Sequence, residues 1–245
     1  MKNICVSIIT VCFNSEKTIE RTIKSVLEQT YKNLEYIIVD GKSTDKTLEI
    51  VEKYRPLFKG RMKVISEPDQ GIYDAMNKGI CNASGELIGI INSDDYYETD
   101  TVENVVAAMK DEDYQILYGM LRVIKENEDT RVIVMPKHEN LENEMLAHPT
   151  CFVTKKVYSD FGMYDIKYRS CADHDFMLRM RKHSEVVFIP VYKLLANFTE
   201  GTGMSAQESS VLEALGMLSE HGIISKTRYR LILMKNRCKK LLGLK

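Results

Sequence analysis

The stretch Leu87-Ile88-Gly89-Ile90-Ile91-Asn92-Ser93-Asp94-Asp95 decides how this chain folds. Its uninterrupted apolar run reads as a strand buried on both faces, the condition of a central strand in a parallel α/β sheet. Ligands of such sheets bind in the crevice outside the carboxyl ends of the strands. Two adjacent carboxylates at that end repel each other unless a proton or a cation lies with them, and hard oxygen donors suit Mg²⁺ or Mn²⁺. Taken alone, Asp94-Asp95-Tyr96-Tyr97 is equally accounted for as a turn before a helix.

The pattern recurs upstream, which changes the balance. Leu34 to Val39 is a second apolar run ending in an acid, Asp40, followed at once by Gly41. Ahead of it, Cys5 to Cys12 reads as a strand. Ser15 to Gln29 reads as a helix with Ile19, Ile23, Val26 and Leu27 on one face. Ser43-Thr44-Asp45 supplies capping residues for a helix carrying Leu48 and Val51 to Tyr54. Met62 to Ser66 is a third strand and Ile72 to Cys81 a third helix. Strands alternating with helices of this length predict βαβ units and a mainly parallel sheet flanked by helices. Asp40 and the Asp94-Asp95 pair then end on one side of one sheet and share a crevice.

At 245 residues and 44% hydrophobic content, the chain can bury a sizeable core. Six cysteines without C-x-x-C spacing suit reduced thiols, three of them in strand-like runs, and predict a cytoplasmic protein. No signal-like segment opens the chain and no run approaches the ~20 apolar residues of a membrane span. The sequons at Asn82 and Asn197 are then incidental. Net charge is −1, yet residues 221–245 hold eight Lys or Arg and no acid, leaving the preceding residues at −9. No nucleic-acid partner is expected.

Other motifs fail. Gly41-Lys42-Ser43-Thr44 ends like a phosphate-binding P-loop, but its first glycine would fall on Tyr36. The first β–α turn, Cys12-Phe13-Asn14-Ser15, has no glycine, against a dinucleotide-binding fingerprint and the opening loop of sugar nucleotidyltransferases. His138-Glu139 lacks the second histidine of a zinc-protease motif.

Four ordered segments resemble glycosyltransferase family 2, inverting enzymes of the Rossmann-like GT-A fold. They are Val6 to Asn14, Ile38 to Thr47, Asp69-Gln70-Gly71-Ile72-Tyr73-Asp74-Ala75-Met76-Asn77-Lys78-Gly79, and Asn92-Ser93-Asp94-Asp95. The likeness is strongest over residues 4–100, and within the family it is to bacterial enzymes of O-antigen, capsule or exopolysaccharide synthesis. It implies a GT-A domain over 1–205 followed by a helical basic tail, 206–245.

The resemblance also implies roles. Thr10, Asn14, Asp40, Gly71, Asp74, Asn77 and Asp94 would serve the nucleotide of a sugar donor, probed through the base by Asp40. Asp95 would hold Mn²⁺ or Mg²⁺. The family's D-x-D-D begins here with Asn92, which removes a charge and weakens the expected metal affinity. Ser170-Cys171-Ala172-Asp173-His174-Asp175 resembles the family's E-D-x-D segment, with Ala172 replacing the Glu and Asp173 inheriting the role of general base; on residue type alone, Asp173 and Asp175 are equally helix caps. His148-Pro149-Thr150 would shape the acceptor side, and Tyr96–Thr99 and Thr199–Ser205 would read the sugar.

The expected function is metal-dependent transfer from a nucleotide sugar, a uridine diphosphate sugar, to a glycan or lipid-linked acceptor. A sugar nucleotidyltransferase and a non-catalytic nucleotide-sugar-binding partner are the alternatives. In the tail, Ile223 to Leu242 interleave with basic residues, which predicts reversible contact of residues 222–245 with an anionic membrane at its cytoplasmic face. Packing on the domain, or homodimer formation, would explain the same pattern.

Overall fold

The computed structural model describes residues 3–125, 131–200 and 208–241. Strands β1 (Val6–Cys12), β2 (Leu34–Asp40), β3 (Met62–Ser66) and β4 (Leu87–Ile90) pair in parallel in the order β3-β2-β1-β4. Helices α1 (Ile19–Leu27), α2 (Thr47–Tyr54) and α3 (Ile72–Asn82) separate them in the chain. Each element falls within or overlaps the segment that the apolar periodicity marked. α1 starts later than expected because the Ser15 amide donates to Thr47 Oγ1 (2.7 Å) and the Glu16 amide to Asp45 Oδ2 (3.0 Å). Those donors hold the chain in a turn before the helix.

Beyond β4 the sheet becomes mixed. β5 (Tyr96–Tyr97), α4 (Thr101–Ala108), β6 (Gln115–Lys125), β7 (Arg131–Val134), β8 (Phe152–Thr154), α5 (Lys155–Phe161), α6 (Ala172–Met180) and β9 (Val187–Glu200) follow in sequence. The sheet continues β4-β8-β6-β9-β5, with β7 on β6. β8 arrives from a 3₁₀ turn at His148–Thr150, not from a crossover helix, and pairs antiparallel with β4 and β6. β9 runs parallel to β6. The first four strands are thus all parallel, and beyond them parallel pairing recurs between β6 and β9.

Alternation along the strands builds two cores. Ile9, Val11, Ile37 and Val39 face the layer of α3, α5 and α6, and Ile8, Cys12, Tyr36 and Ile38 face that of α1, α2 and α4. α7 (Glu208–Glu220) and α8 (Lys226–Leu241) follow. Met217 of α7 is fully buried in the core that holds Phe176 and Met180 of α6. The expected boundary at 205/206 lies outside the described residues. Cys12, Cys151 and Cys171 are buried and unbridged, Cys5 is half-buried and Cys81 exposed. No helix among the described residues is long and apolar enough to cross a membrane.

At the amino ends of the central strands, Glu35 Oε1 accepts hydrogen bonds from the Ser7 hydroxyl (2.5 Å), the Ser84 amide (2.6 Å) and the Gly85 amide (3.2 Å). Gly85 lies so close to β1 that an added Cβ would sit 2.7 Å from the Cys5 carbonyl and the Ser7 amide. Both are backbone atoms and cannot rotate away. Gly85→Ala is expected to cost about 1–3 kcal/mol in urea unfolding, the scale of overpacking. An unchanged midpoint would contradict this β1–β4 junction.

Candidate active site

β1 and β2 end side by side, Cys12 opposite Asp40, and Asp40 lies opposite Ser66 of β3. Asp40 is fully buried. Its Oδ2 accepts from Ser66 Oγ (2.7 Å), and the Ser43 amide lies 3.2 Å from both oxygens. Burial, then the Asp40 charge, push the neighbouring Cys12 thiol far up, so it stays protonated. Asn14 takes a left-handed conformation (φ 50°), which asparagine tolerates. Its side-chain oxygen accepts from the Thr44 amide (2.8 Å), while its own amide donates to Ser43 Oγ (2.8 Å). The Ser15 and Ser93 hydroxyls meet at 2.8 Å. The turns after β1, β2 and β4 are thus laced together, which gathers Asn14, Asp40 and the Asp94-Asp95 segment at one end of the sheet.

Gly71 begins α3 with φ 123°, a conformation that strains any other residue, and its amide donates to Asp69 Oδ1 (2.9 Å). Asp74 Oδ2 accepts the Gln70 amide (3.0 Å) and pairs with Lys78 (3.2 Å). Two of the residues expected to serve the nucleotide are engaged with the protein itself. Thr10 is fully buried inside β1, where its hydroxyl accepts from Tyr36 (2.9 Å), because its face points into the helix layer and not out of the strand end. Asn77 clamps the Tyr164 backbone, donating to its carbonyl (2.9 Å) and accepting from its amide (3.1 Å), so its amide group ties α3 to the 164 loop.

In the acid pair, Asp94 is half-buried and Asp95 has no exposed surface. Both Asp95 oxygens and Asn92 Oδ1 are buried without a hydrogen-bond partner. Burial, and secondarily the Asp94 charge, hold the Asp95 carboxyl well above the usual range, offset in part by the Thr199 amide and Arg21. Arg21 Nη2 bonds the Asp94 carbonyl (2.6 Å) and Thr199 Oγ1 (2.9 Å), and its guanidinium lies 4.6 Å from the Tyr96 ring centre. Orphaned, hard oxygen atoms of this kind fit a divalent cation that brings its remaining ligands as phosphate and water. Among the described residues, no three His, Cys, Asp or Glu side chains form a metal cage.

Asp173, at the start of α6, is 8% exposed. Its Oδ1 accepts from the Tyr73 hydroxyl (2.8 Å) and from the His174 amide (3.0 Å). Tyr73 belongs to the first turn of α3, beside Gly71 and Asp74, so this bond ties the carboxylate to the segment expected to serve the nucleotide. Burial, then Asp173, push the Tyr73 phenol far up; it stays a donor. Asp175 is committed to Arg179 (2.8 Å) and His221 (2.8 Å). Neither acid caps α6. His148 Nε2 meets the Tyr164 hydroxyl (3.1 Å), whose ring lies 5.6 Å from that of Tyr73. Burial holds the His148 imidazole below its usual pKa, partly opposed by Asp173.

Tyr73, Arg21, Ser43 and Ser66 are contributors that residue type alone did not single out. Tyr73 had a usable signal, since it lies four residues before Asn77 and shares its helix face. The sugar-reading segment splits: Tyr96–Tyr97 pairs with Ala196–Asn197 of β9, and residues 201–205 lie outside the described residues.

A family model described as Glycosyl transferase family 2 matches residues 7–180. A PGL/p-HBAD biosynthesis glycosyltransferase of Mycobacterium tuberculosis is 28% identical over 221 residues, covering 89% of this chain and 86% of its own. Among solved structures, TarS of S. aureus in complex with UDP-GlcNAc superposes with a TM-score of 0.70 at 20% identity, over 91% of this chain and 69% of that one. The mannosyltransferase PcManGT of Pyrobaculum calidifontis, with GDP-Man and Mn²⁺, gives 0.63 at 17% identity, over 90% and 64%. The α/β architecture is therefore that of GT-A glycosyltransferases.

The unpartnered Asp95 carboxylate generates a stability prediction. Because its folded pKa is raised, the unfolded carboxyl ionises first as pH rises past ~4, and the folded state loses stability from there upward. Asp95→Asn should raise Tm in metal-free buffer at pH 7, by about 2–4 °C per kcal/mol gained in a chain of this size, and the gain should vanish below pH ~4. A lower Tm for the variant at pH 7 would contradict the buried, uncompensated carboxylate.

Proposed function

The chain belongs to glycosyltransferase family 2, and from that premise we propose that it moves a sugar, with inversion, from a uridine diphosphate sugar to a hydroxyl of a glycan or lipid-linked acceptor in bacterial surface polysaccharide synthesis. The observation that carries this reading is the bond from Tyr73, at the nucleotide-facing start of α3, to Asp173. It supports reading Asp173 as the group that faces the nucleotide side, since Tyr73 stands beside Gly71 and Asp74 at the start of α3.

In this reading Asp40 accepts a hydrogen bond from the base, and Asp94 serves the ribose. Asn14, Gly71 and Asp74 shape the loops around the nucleotide, with Thr10 and Asn77 bracing them from behind. Asp95, with Asn92 beside it, would hold Mn²⁺ or Mg²⁺. When bound, the metal neutralises charge developing on the departing diphosphate. The ligands in the two structural relatives, UDP-GlcNAc and GDP-Man with Mn²⁺, support a donor and an ion of these classes.

Asp173 Oδ1 is occupied by two donors, so Oδ2 takes the proton of the acceptor hydroxyl. The deprotonated acceptor oxygen attacks the anomeric carbon as the bond to the diphosphate breaks and its electron pair leaves with the phosphate. Asp175, with one oxygen on Arg179 and the other on His221, is poorly suited to the role. A nucleotidyltransferase would need no base opposite the nucleotide and would release pyrophosphate. A purely binding partner would need none either.

Asp173→Asn is expected to lower turnover by ~10²-fold or more with donor KM little changed, followed as UDP release in Mn²⁺ across a panel of uridine diphosphate sugars. Turnover near the parent's would remove Asp173 from the mechanism.

The acceptor side includes the tail. On α8, Leu231 and Met234 are 60% and 63% exposed, among the exposed Lys226, Arg228, Arg230 and Lys235. Basic residues beside apolar ones support reversible docking on an anionic membrane at its cytoplasmic face, at on the order of 1 kcal/mol per charge. Replacing those four basic residues by Gln should abolish co-sedimentation with phosphatidylserine vesicles at low salt. Binding that survives both the substitutions and high salt would contradict the membrane role, and dimerisation without vesicle binding would assign α8 to self-association.

A further inference from the structure

The segment that presents Asp173 donates hydrogen bonds to a helix beyond the region of the family match, which ends at residue 180. Glu213, in the middle of α7, takes the Arg169 amide on Oε1 (2.8 Å) and the Ser170 amide and hydroxyl on Oε2 (2.7 and 2.6 Å). Burial works against its charge, yet the Ser170 hydroxyl and these amides hold the carboxyl below the usual range. Bonds to an ionised acceptor are the strong ones, and two of these three fix backbone. Cys171 offers no capping side chain to α6.

The end of α7 grips the same unit from its other side. His221 Nε2 meets Asp175 Oδ1 (2.8 Å), and Lys182 Nζ reaches His221 Nδ1 (3.1 Å). Glu220 accepts from Tyr168 (2.8 Å) and Lys167 (2.9 Å). Met217 is buried in the core shared with α6. Each contact joins residues 167–182 to residues 213–221, and Asp173 lies between the two points of attachment.

We propose that α7 is part of the active site's architecture, with Glu213 and His221 as positioning residues that fix Asp173 through the 169–170 backbone and through Asp175. The proposal rests on the reading of Asp173 as the base. A carboxylate displaced by about 1 Å can lose ~10²-fold in rate while donor binding, made at the far side of the crevice, stays intact.

The test uses the full chain with UDP-GlcNAc and Mn²⁺, reading UDP release, alongside hydrogen exchange of residues 167–175. Glu213→Ala should lower kcat by about 10-fold or more with donor KM within about twofold, and Glu213→Gln, which keeps an acceptor, should recover part of the loss. Exchange should accelerate in 167–175 and not in β1 or β2. His221→Ala should lower kcat in the same sense. Asp173→Asn inactive beside Glu213→Ala at parental kcat would overturn the proposal. If Asp173→Asn, or the parent on this donor, shows that the base reading itself fails, exchange alone decides: unchanged protection of 167–175 in Glu213→Ala and Glu213→Gln overturns the positioning role, and local loss of protection upholds it.

Discussion

A carboxylate with no exposed surface, set beside a second acid, is the constraint around which this structure is organised. Asp95 carries the electrostatic penalty of burial beside a second acid, and Arg21 and the Thr199 amide offset it only in part. Unpaired buried charge of this kind is among the costlier features a fold can retain. The central strands tolerate it because their packing is otherwise complete: every residue of β1 and β4 is buried. In the proposed reading, a cation held by the oxygens of Asn92 and Asp95 would relieve that penalty. Function and instability then have one source.

The crevice follows from topology. In the order β3-β2-β1-β4, the chain winds outward from β1 in both directions, so the loops after β1 and β4 diverge and leave space at the strand ends. Side chains then lace the loops across it: Asn14 to Thr44, Ser15 to Ser93, Ser66 to Asp40. The second half of the chain, with its antiparallel β8, contributes little to the nucleotide side. Its α6 carries Asp173, and Tyr73 ties that carboxylate to α3 across 100 residues of sequence.

The parallel half of the fold was legible because its signals are local. Apolar runs such as Leu34 to Val39 end in acids, and helices between them show one-faced periodicity. Asp40, the Asp94-Asp95 segment and Asp173 followed from strand ends and the family resemblance. What sequence position along an element does not tell is which way the side chains of Thr10 and Asn77 turn. Thr10 faces the helix layer, and Asn77 spends its amide on Tyr164. The antiparallel insertion of β8 was hidden too, since a three-residue strand carries no period. Glu213 had no local signal at all: its partners lie 43 and 44 residues away, and its role exists only in the folded chain.

The most direct measurement is a crystal structure grown with UDP and Mn²⁺. The account predicts the uracil against Asp40 and the diphosphate bridged through Mn²⁺ to the Asn92–Asp95 segment, with Asp95 no longer without a partner. Nucleotide bound away from the ends of β1, β2 and β4, or bound there with Asp95 still closed off from the metal, would contradict it.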